Sequence, residues 1–426
     1  MALGGHGLEQ ASVVWSDVSG MRIMHVIPGL AARTGGPPFA VVAGARALQR
    51  LGNSVTIYTT DAATTARALD ARGGITQDEM PPYADELDIR MFPVRAPYRL
   101  AYAPALRLAL ARDIAAYDVV HIDSLFLYPQ YAAYREAWRA GVPYVVSPHG
   151  ALDPYLRQRG RLRKFVVDTL WQRRMLQRAA VIHGTSEEER RQIADAGIRT
   201  RAIVVPNAVN LEAFASPPEP SLFRDRFLGG SNAPLVLYHG RLSEKKGLDI
   251  LIDAFALLRV EIADARLAIV GPDDEALSRP LAEQARRLGV ADAVVFTGML
   301  RDARLASALA AADVWAMPSH GENFGVAVVE ALAAGLPVIT SPYVNIADEI
   351  AAAGAGVVAD LTAEAFAQAI AALFRQPDQR AALRGRAQEF AQRYNWLTMG
   401  ESMCALYESV RAADRASAAT SGASSK

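Results

Sequence analysis

A single cysteine, Cys404, among 426 residues leaves no partner for an intramolecular disulfide and too few thiolates for a metal cluster. A reducing, cytoplasmic setting fits that usage. No apolar run reaches the ~18 residues at which a membrane span becomes a candidate, and residues 1–20 carry neither the basic start nor the apolar block of a signal peptide. The expectation is a soluble or peripheral protein. Net charge is missing too, since 45 Lys and Arg balance 45 Asp and Glu. Neither half has a Gly-x-Gly-x-x-Gly turn after its first strand or a phosphate loop ending in Gly-Lys-Ser/Thr, so nicotinamide redox chemistry and ATP hydrolysis lose their best signatures. No pair of histidines stands at metal-ligand spacing with a third ligand nearby, and no dedicated metal or cofactor site is expected.

What the chain does have is a globular composition, 51% hydrophobic and 21% charged, on a length that suits two cores of about 200 residues each. The zero net charge hides an asymmetry. Residues 1–210 hold 25 Lys and Arg against 19 Asp and Glu, and residues 211–426 hold 20 against 26, so the first half is the better match for an anionic surface.

Short β-branched apolar runs alternate with helix-like segments throughout, the pattern of parallel sheets covered on both faces. Strands are expected at 22–27, 54–59, 89–93, 118–122, 143–147, 180–183 and 201–205, then at 234–239, 266–270, 293–297, 313–317 and 337–340. Helices fit between them. The fold class is therefore α/β with two Rossmann-like domains: 21–213, and 214–395 after the proline-rich join 214–220. Residues 1–20 and 413–426 read as disordered ends, and 396–412 as a helix returning to the first domain.

Two segments carry candidate chemistry. His320-Gly321-Glu322-Asn323-Phe324-Gly325 leads into helix formers that end at Gly335, which sets Glu322 before a helix and Glu330, eight positions on, inside it. At 1.5 Å per helical residue the two stand about 10 Å apart along the axis, with the helix N-terminus between them. A diphosphate fits that gap, each carboxylate accepting from hydroxyls at one end; a capped helix with two ordinary glutamates is the alternative. In Gly240-Arg241-Leu242-Ser243-Glu244-Lys245-Lys246-Gly247, cations leave the C-terminal end of a strand, where open α/β sheets bind ligands. Arg241 and Lys246 suit phosphate; Lys245 reads as solvated.

Gly240-Arg241 with Lys246-Gly247, followed by Glu322 and Glu330, resembles the donor site of the family 4 retaining glycosyltransferases of GT-B fold. Gly35-Gly36-Pro37, Ser147-Pro148-His149-Gly150 and Pro206-Asn207 extend the resemblance over nearly the whole chain. It implies that Arg241 and Lys246 neutralise a diphosphate leaving group without a divalent metal. It also implies that Glu330 holds the ribose and that Glu322 faces the donor sugar. The backbone N–H groups of Asn323, Phe324 and Gly325 would reach sugar or phosphate oxygens, and Gly298-Met299-Leu300 would edge the base. His149 would reach the donor sugar from the first domain, and Gly35 and Gly36 would let the first loop approach closely. The implied activity is transfer of a hexose from a UDP- or GDP-sugar to a glycan or polyprenyl-linked glycan in surface polysaccharide assembly. A non-catalytic nucleotide-sugar-binding subunit and a glycoside phosphorylase of the same fold are the alternatives.

His25, His183 and His239 lie in apolar strands and read as satisfied core residues, and His121 is ambiguous. Asp123 could serve as an acceptor-side base or a turn residue, while Asp153 before Pro154 reads as a cap. Residues 157–178 pair Arg157, Arg159, Arg161, Arg163, Lys164, Arg173, Arg174 and Arg178 with Leu162, Phe165, Val166, Leu170 and Trp171. This pattern suits either peripheral contact with the inner face of the cytoplasmic membrane or a helix packed on the sheet with a solvated basic face. Nucleic acid is not an expected partner, because no matching basic surface or aromatic platform accompanies it.

Overall fold

The computed structural model describes residues 20–32, 36–62, 80–153, 161–215, 218–273 and 275–423. Expectations for the extension 1–19 and for Gly35, Arg157 and Arg159 fall outside those residues. The first half forms one parallel sheet from β1 (Arg22–Val26), β2 (Ser54–Thr60), β3 (Asp88–Phe92), β4 (Val119–Asp123), β5 (Tyr144–Ser147), β6 (Val181–Gly184) and β7 (Ala202–Val204). The second builds another from β8 (Leu235–His239), β9 (Arg266–Val270), β10 (Val294–Gly298), β11 (Val314–Met317), β12 (Val338–Thr340) and β13 (Gly356–Val358). Their orders are 3-2-1-4-5-6-7 and 10-9-8-11-12-13.

Strands such as β4 and β11 are buried along their whole length, because helices cover both faces; hence their continuous apolar runs. In each sheet the strand order reverses beside the first strand, between β1 and β4 and between β8 and β11. A crevice opens at the C-terminal ends of those strands. The elements that escaped the sequence pattern include β13, only three residues long, the short helices Ser221–Leu228 and Ala347–Ala352, and the helix Pro377–Ala391, which buries just Leu383, Ala387, Phe390 and Ala391.

Core membership changes between Ala208, in the first domain, and Val209, in the second, several residues before the proline-rich loop expected to mark the join. Val209 N–H donates to Tyr394 O at 2.9 Å, so the outgoing and returning chain segments cross side by side. The helix Trp396–Ala423 then packs on the first domain, burying Met399, Met403, Cys404, Leu406, Tyr407 and Val410. Small residues permit the approach: a Cβ on Gly400 would stand 3.0 Å from Ala47 Cβ. The helix continues past Ala413 to Ala423, into the segment expected as a tail.

Candidate active site

In the second domain, β8 delivers Gly240 and Arg241 to the crevice. Gly240 and Gly271 adopt φ values of 142° and 152°, and a Cβ on Gly271 would lie 1.8 Å from Gly240 O, so only glycine lets these two strand ends touch. Arg241 Nε is buried and has no hydrogen-bond partner among the described residues, a donor left for an acceptor from outside the chain. Lys246 closes the 3-10 turn Glu244–Lys246, and Gly247 ends it at φ 63°. A Cβ there would meet Pro318 O at 2.0 Å, because the turn is pressed against the end of β11.

Lys246 Nζ lies 2.8 Å from Glu322 Oε1, both side chains largely buried. The backbone of Glu322 is pinned from both sides, its N–H donating to Tyr343 O and its carbonyl accepting from Asn345 N–H, each at 3.0 Å. Gly325, at φ 80°, caps the helix Val326–Ala333, which carries Glu330. His239 Nε2 is 2.9 Å from Glu330 Oε2, and Trp315 Nε1 is 2.8 Å from His239 Nδ1. Met299 and the buried Leu300 follow the end of β10, where Gly271 N–H donates to Gly298 O at 3.0 Å. Lys246 with Glu322, and His239 with Glu330, thus link the segments that follow β8 and β11 at the switch point.

The first domain gathers four of the chain's seven histidines beneath its own switch point. Asp123, at the end of β4, takes His25 Nδ1 at 2.9 Å on one oxygen and His149 Nε2 at 2.8 Å on the other. Burial opposes ionisation of this carboxyl, yet the imidazoles of His121, His149 and His25 outweigh it and hold Asp123 well below the carboxylate range. Burial likewise works against the His149 imidazolium, but the hydrogen bond and charge of Asp123, with Glu189 behind them, raise it above its ordinary value. The His149 backbone sits in the left-handed region at φ 51°, a conformation rare for a side-chain-bearing residue.

Burial drives His121 and His183 the other way, keeping both neutral. Their hydrogen bonds can then be ordered. Val205 O can only accept, so His183 donates through Nε2 at 2.8 Å, and its Nδ1 accepts from Ser147 Oγ at 2.7 Å. Ser147 in turn accepts from His121 Nε2 at 2.6 Å, leaving His121 Nδ1 to accept from the Tyr407 hydroxyl at 2.6 Å. His25, His183 and His239 are the buried, satisfied residues expected, and His121 joins them.

The two halves meet along one wall of the cleft. Glu189, fully buried, accepts from Gly150 N–H at 2.6 Å and from Thr185 N–H at 2.7 Å; Asn323 Nδ2 reaches its Oε2 at 3.2 Å and Thr185 Oγ1 at 2.8 Å. Asn345 Nδ2 contacts Ser186 Oγ at 3.2 Å, and Lys245 pairs with Asp153 at 3.2 Å. Lys245 is therefore not a solvated charge, and Asp153 spends an oxygen across the cleft rather than only capping its own loop. The loop carrying His149 touches the Glu322 loop so closely that a Cβ on Gly150 would sit 2.9 Å from Asn323 Cβ. Gly36 begins the helix Gly36–Arg50, and a Cβ there would stand 4.0 Å from Val326 at the start of the Glu330 helix. Glu189, Thr185, Ser186 and Asn345 were not legible as site residues. Ser186 caps the helix Glu187–Asp195, its side chain accepting from Glu189 N–H at 3.1 Å.

Two Rossmann-like domains facing across a cleft, with cations and a helix N-terminus at the second switch point, define the GT-B class of glycosyltransferases. Residues 223–390 match the family described as "Glycosyl transferases group 1", and residues 35–208 match "Glycosyl transferase 4-like domain". The D-inositol 3-phosphate glycosyltransferase of Kineococcus radiotolerans is 29% identical over 377 residues, covering 80% of this chain and 86% of that protein. The phosphatidyl-myo-inositol mannosyltransferase of Mycobacterium leprae is 30% identical over 321 residues, covering 73% and 79%. Among solved structures, that of Anabaena Alr3699/HepE with UDP and glucose superposes with a TM-score of 0.73 at 22% identity, over 91% of this chain and 100% of that one. The chain belongs to the group 1, family 4 glycosyltransferases.

Proposed function

We propose that this glycosyltransferase acts with retention of anomeric configuration, moving a hexose from a UDP- or GDP-sugar to a glycan or polyprenyl-linked glycan in surface polysaccharide assembly. The observation that carries the donor reading is the unpartnered Nε of Arg241 beside the Lys246–Glu322 pair. A diphosphate laid there takes the guanidinium fork, shares the ammonium of Lys246 and faces the N–H groups that begin the helix Val326–Ala333. The charge that a divalent ion would neutralise elsewhere falls on these groups. Glu322 then accepts from sugar hydroxyls and Glu330 from ribose hydroxyls, while the chain at Met299 and Leu300 runs beside the base. His149 approaches the sugar from the first domain.

On the side of the sugar where the phosphate leaves, the bond from the anomeric carbon to the phosphate oxygen breaks as the bond to the acceptor oxygen forms. The acceptor's proton passes to the departing phosphate oxygen. Arg241 and Lys246 stabilise the charge that develops there. The relatives whose names specify inositol phosphate or phosphatidylinositol acceptors favour a second acceptor reading, a phosphorylated polyol or its lipid, which the positive first half would also attract.

The helical segment Arg161–Arg178 supports a cytoplasmic location at the inner membrane face. Among the described residues no helix is long and apolar enough to cross a membrane, yet Leu162, Phe165, Val166 and Leu170 stand 45–79% exposed at helical spacing. Exposed Arg163 and Arg174 accompany them, and Arg178 stacks on the exposed Trp138 at 4.8 Å. An anionic lipid surface matches both the apolar stripe and the charge.

The test is hydrolysis and transfer from a panel of UDP- and GDP-sugars, with and without EDTA. One donor is expected to turn over in EDTA, with Glu322→Ala and Lys246→Ala at least 100-fold slower. Undiminished turnover in both variants would sink the site assignment, and an inverted product anomer would sink retention.

A further inference from the structure

We infer that His239 and Trp315 are positioning residues for the nucleotide: they fix the proton that orients Glu330 toward the ribose. The inference rests on the reading of Glu330 as the ribose ligand. An indole N–H donates and never accepts. With Trp315 Nε1 2.8 Å from His239 Nδ1, that nitrogen must present its lone pair. The imidazole proton therefore sits on Nε2, which donates to Glu330 Oε2 at 2.9 Å. The opposite tautomer would set N–H against N–H at Trp315 and a lone pair against the carboxylate, so both contacts select the same form.

The relay is built into the sheet. β8 and β11 are adjacent and pair Leu237 with Trp315, which places the indole directly behind His239 at the switch point. Trp315 is fully buried and stacks on Tyr238 at a centroid distance of 6.5 Å. His239 is 4% exposed, while the Glu330 side chain is 27% exposed. Of the three, only the carboxylate opens onto the crevice. One oxygen of Glu330 is tied down and the other remains for vicinal hydroxyls, so the carboxylate is ordered before the nucleotide arrives. A glutamate without this support would have to be ordered by the ligand, at a cost in affinity. The arrangement also explains a histidine that the chemistry of transfer does not use.

Calorimetry on the full chain with UDP, GDP and their 2′,3′-dideoxy forms tests the relay, because it reads the contribution of the ribose hydroxyls alone. The wild type is expected to bind the ribose form of one nucleotide at least ~10-fold more tightly than its dideoxy form, as hydrogen bonds to a charged acceptor require. In His239→Met and Trp315→Phe that ratio should fall below about 3-fold, while His239→Gln, which keeps a donor toward Glu330, should retain most of it. Thermal melts establish which variants are folded, and His239→Met carries the test if Trp315→Phe does not fold. A ratio as large in folded His239→Met as in the wild type overturns the inference alone. Equal binding of ribose and dideoxy forms by the wild type overturns the role of Glu330, and binding of neither nucleotide overturns the donor-site reading beneath both.

Discussion

The ammonium of Lys246 lies 2.8 Å from a carboxylate oxygen of Glu322, so two residues assigned by sequence to the diphosphate and to the sugar form one ion pair. Their proximity has an energetic consequence: Glu322 competes with phosphate for the same cation and repels the incoming anion. Removing the carboxylate should therefore separate binding from turnover. Glu322→Ala is expected to bind free UDP or GDP about 5- to 10-fold more tightly, a gain of roughly 1 kcal/mol for a pair still within reach of solvent. Turnover falls at the same time. Isothermal titration of both proteins checks this, and weaker binding by the variant would show that Glu322 does not oppose the phosphate.

Asp123 concentrates a different risk. Its carboxylate is 2% exposed and receives His25 and His149 on separate oxygens, so Asp123→Asn removes the charge that keeps the His149 imidazolium in place. Breaking a buried charged pair costs about 3–5 kcal/mol. For a domain of this size that corresponds to roughly 10 °C in the first thermal transition. Calorimetric melting should show the loss in the transition that unfolds residues 21–208. A change under ~2 °C would mean that Asp123 is not the anchor the distances describe.

The same cluster sets a pH dependence. His121 and His183 titrate below their ordinary value because burial disfavours the cation, so each contributes stability that is complete above an unfolded pKa of about 6.5. That contribution is lost as pH falls below it, because the unfolded chain binds protons that the native one refuses. His149 has the opposite sign. Its raised pKa gives stability that is complete below about 6.5 and fades as pH rises through the folded value. On the acid side the two neutral histidines dominate, His121 facing His25, Asp123 and Tyr407 and His183 facing His149, Glu189 and Asp123, and each adds up to about 1.4 kcal/mol per pH unit. Melting temperature should therefore fall between pH 6.5 and 5, and His121→Gln should flatten that slope by about half. An equal slope in the variant would remove His121 from the account.

Most strands lie within one or two residues of their sequence expectation because buried parallel strands are written as short apolar runs, and β4 and β11 could hardly be read otherwise. The order of the candidate donor residues was legible for a related reason: Arg241 follows β8 directly, Lys246 closes the turn after it, Glu322 lies in the loop after β11 and Glu330 on the helix that loop leads into, and ligands of open α/β sheets bind at such strand ends. What stayed hidden depends on contacts between distant segments. Asn323 meets Glu189 across 134 positions and Tyr407 meets His121 across 286, and no local pattern encodes either pairing. Glu189 is one of three adjacent glutamates opening a helix, yet its neighbours Glu187 and Glu188 pair with Arg190 and Arg191 while it turns inward. Burial separates three adjacent glutamates that composition cannot distinguish.

The exposed stripe Leu162, Phe165, Val166 and Leu170 gives the last prediction, since four large apolar side chains on one helical face leave considerable apolar area in water. Each Leu or Phe moved from water into lipid is worth about 1.5–3 kcal/mol when fully buried, and each basic residue near an anionic surface adds about 1 kcal/mol. The full chain should therefore sediment with vesicles containing phosphatidylglycerol and much less with pure phosphatidylcholine. Binding should weaken as salt rises, because a Debye length of about 8 Å at 0.15 M already screens Arg163 and Arg174. Leu162→Asp combined with Phe165→Asp should lower vesicle affinity at least ~100-fold while leaving donor hydrolysis unchanged, because neither residue belongs to the donor crevice. Equal sedimentation of the double variant would assign the stripe to a protein neighbour instead, and loss of hydrolysis would place the helix in the active site rather than on the membrane.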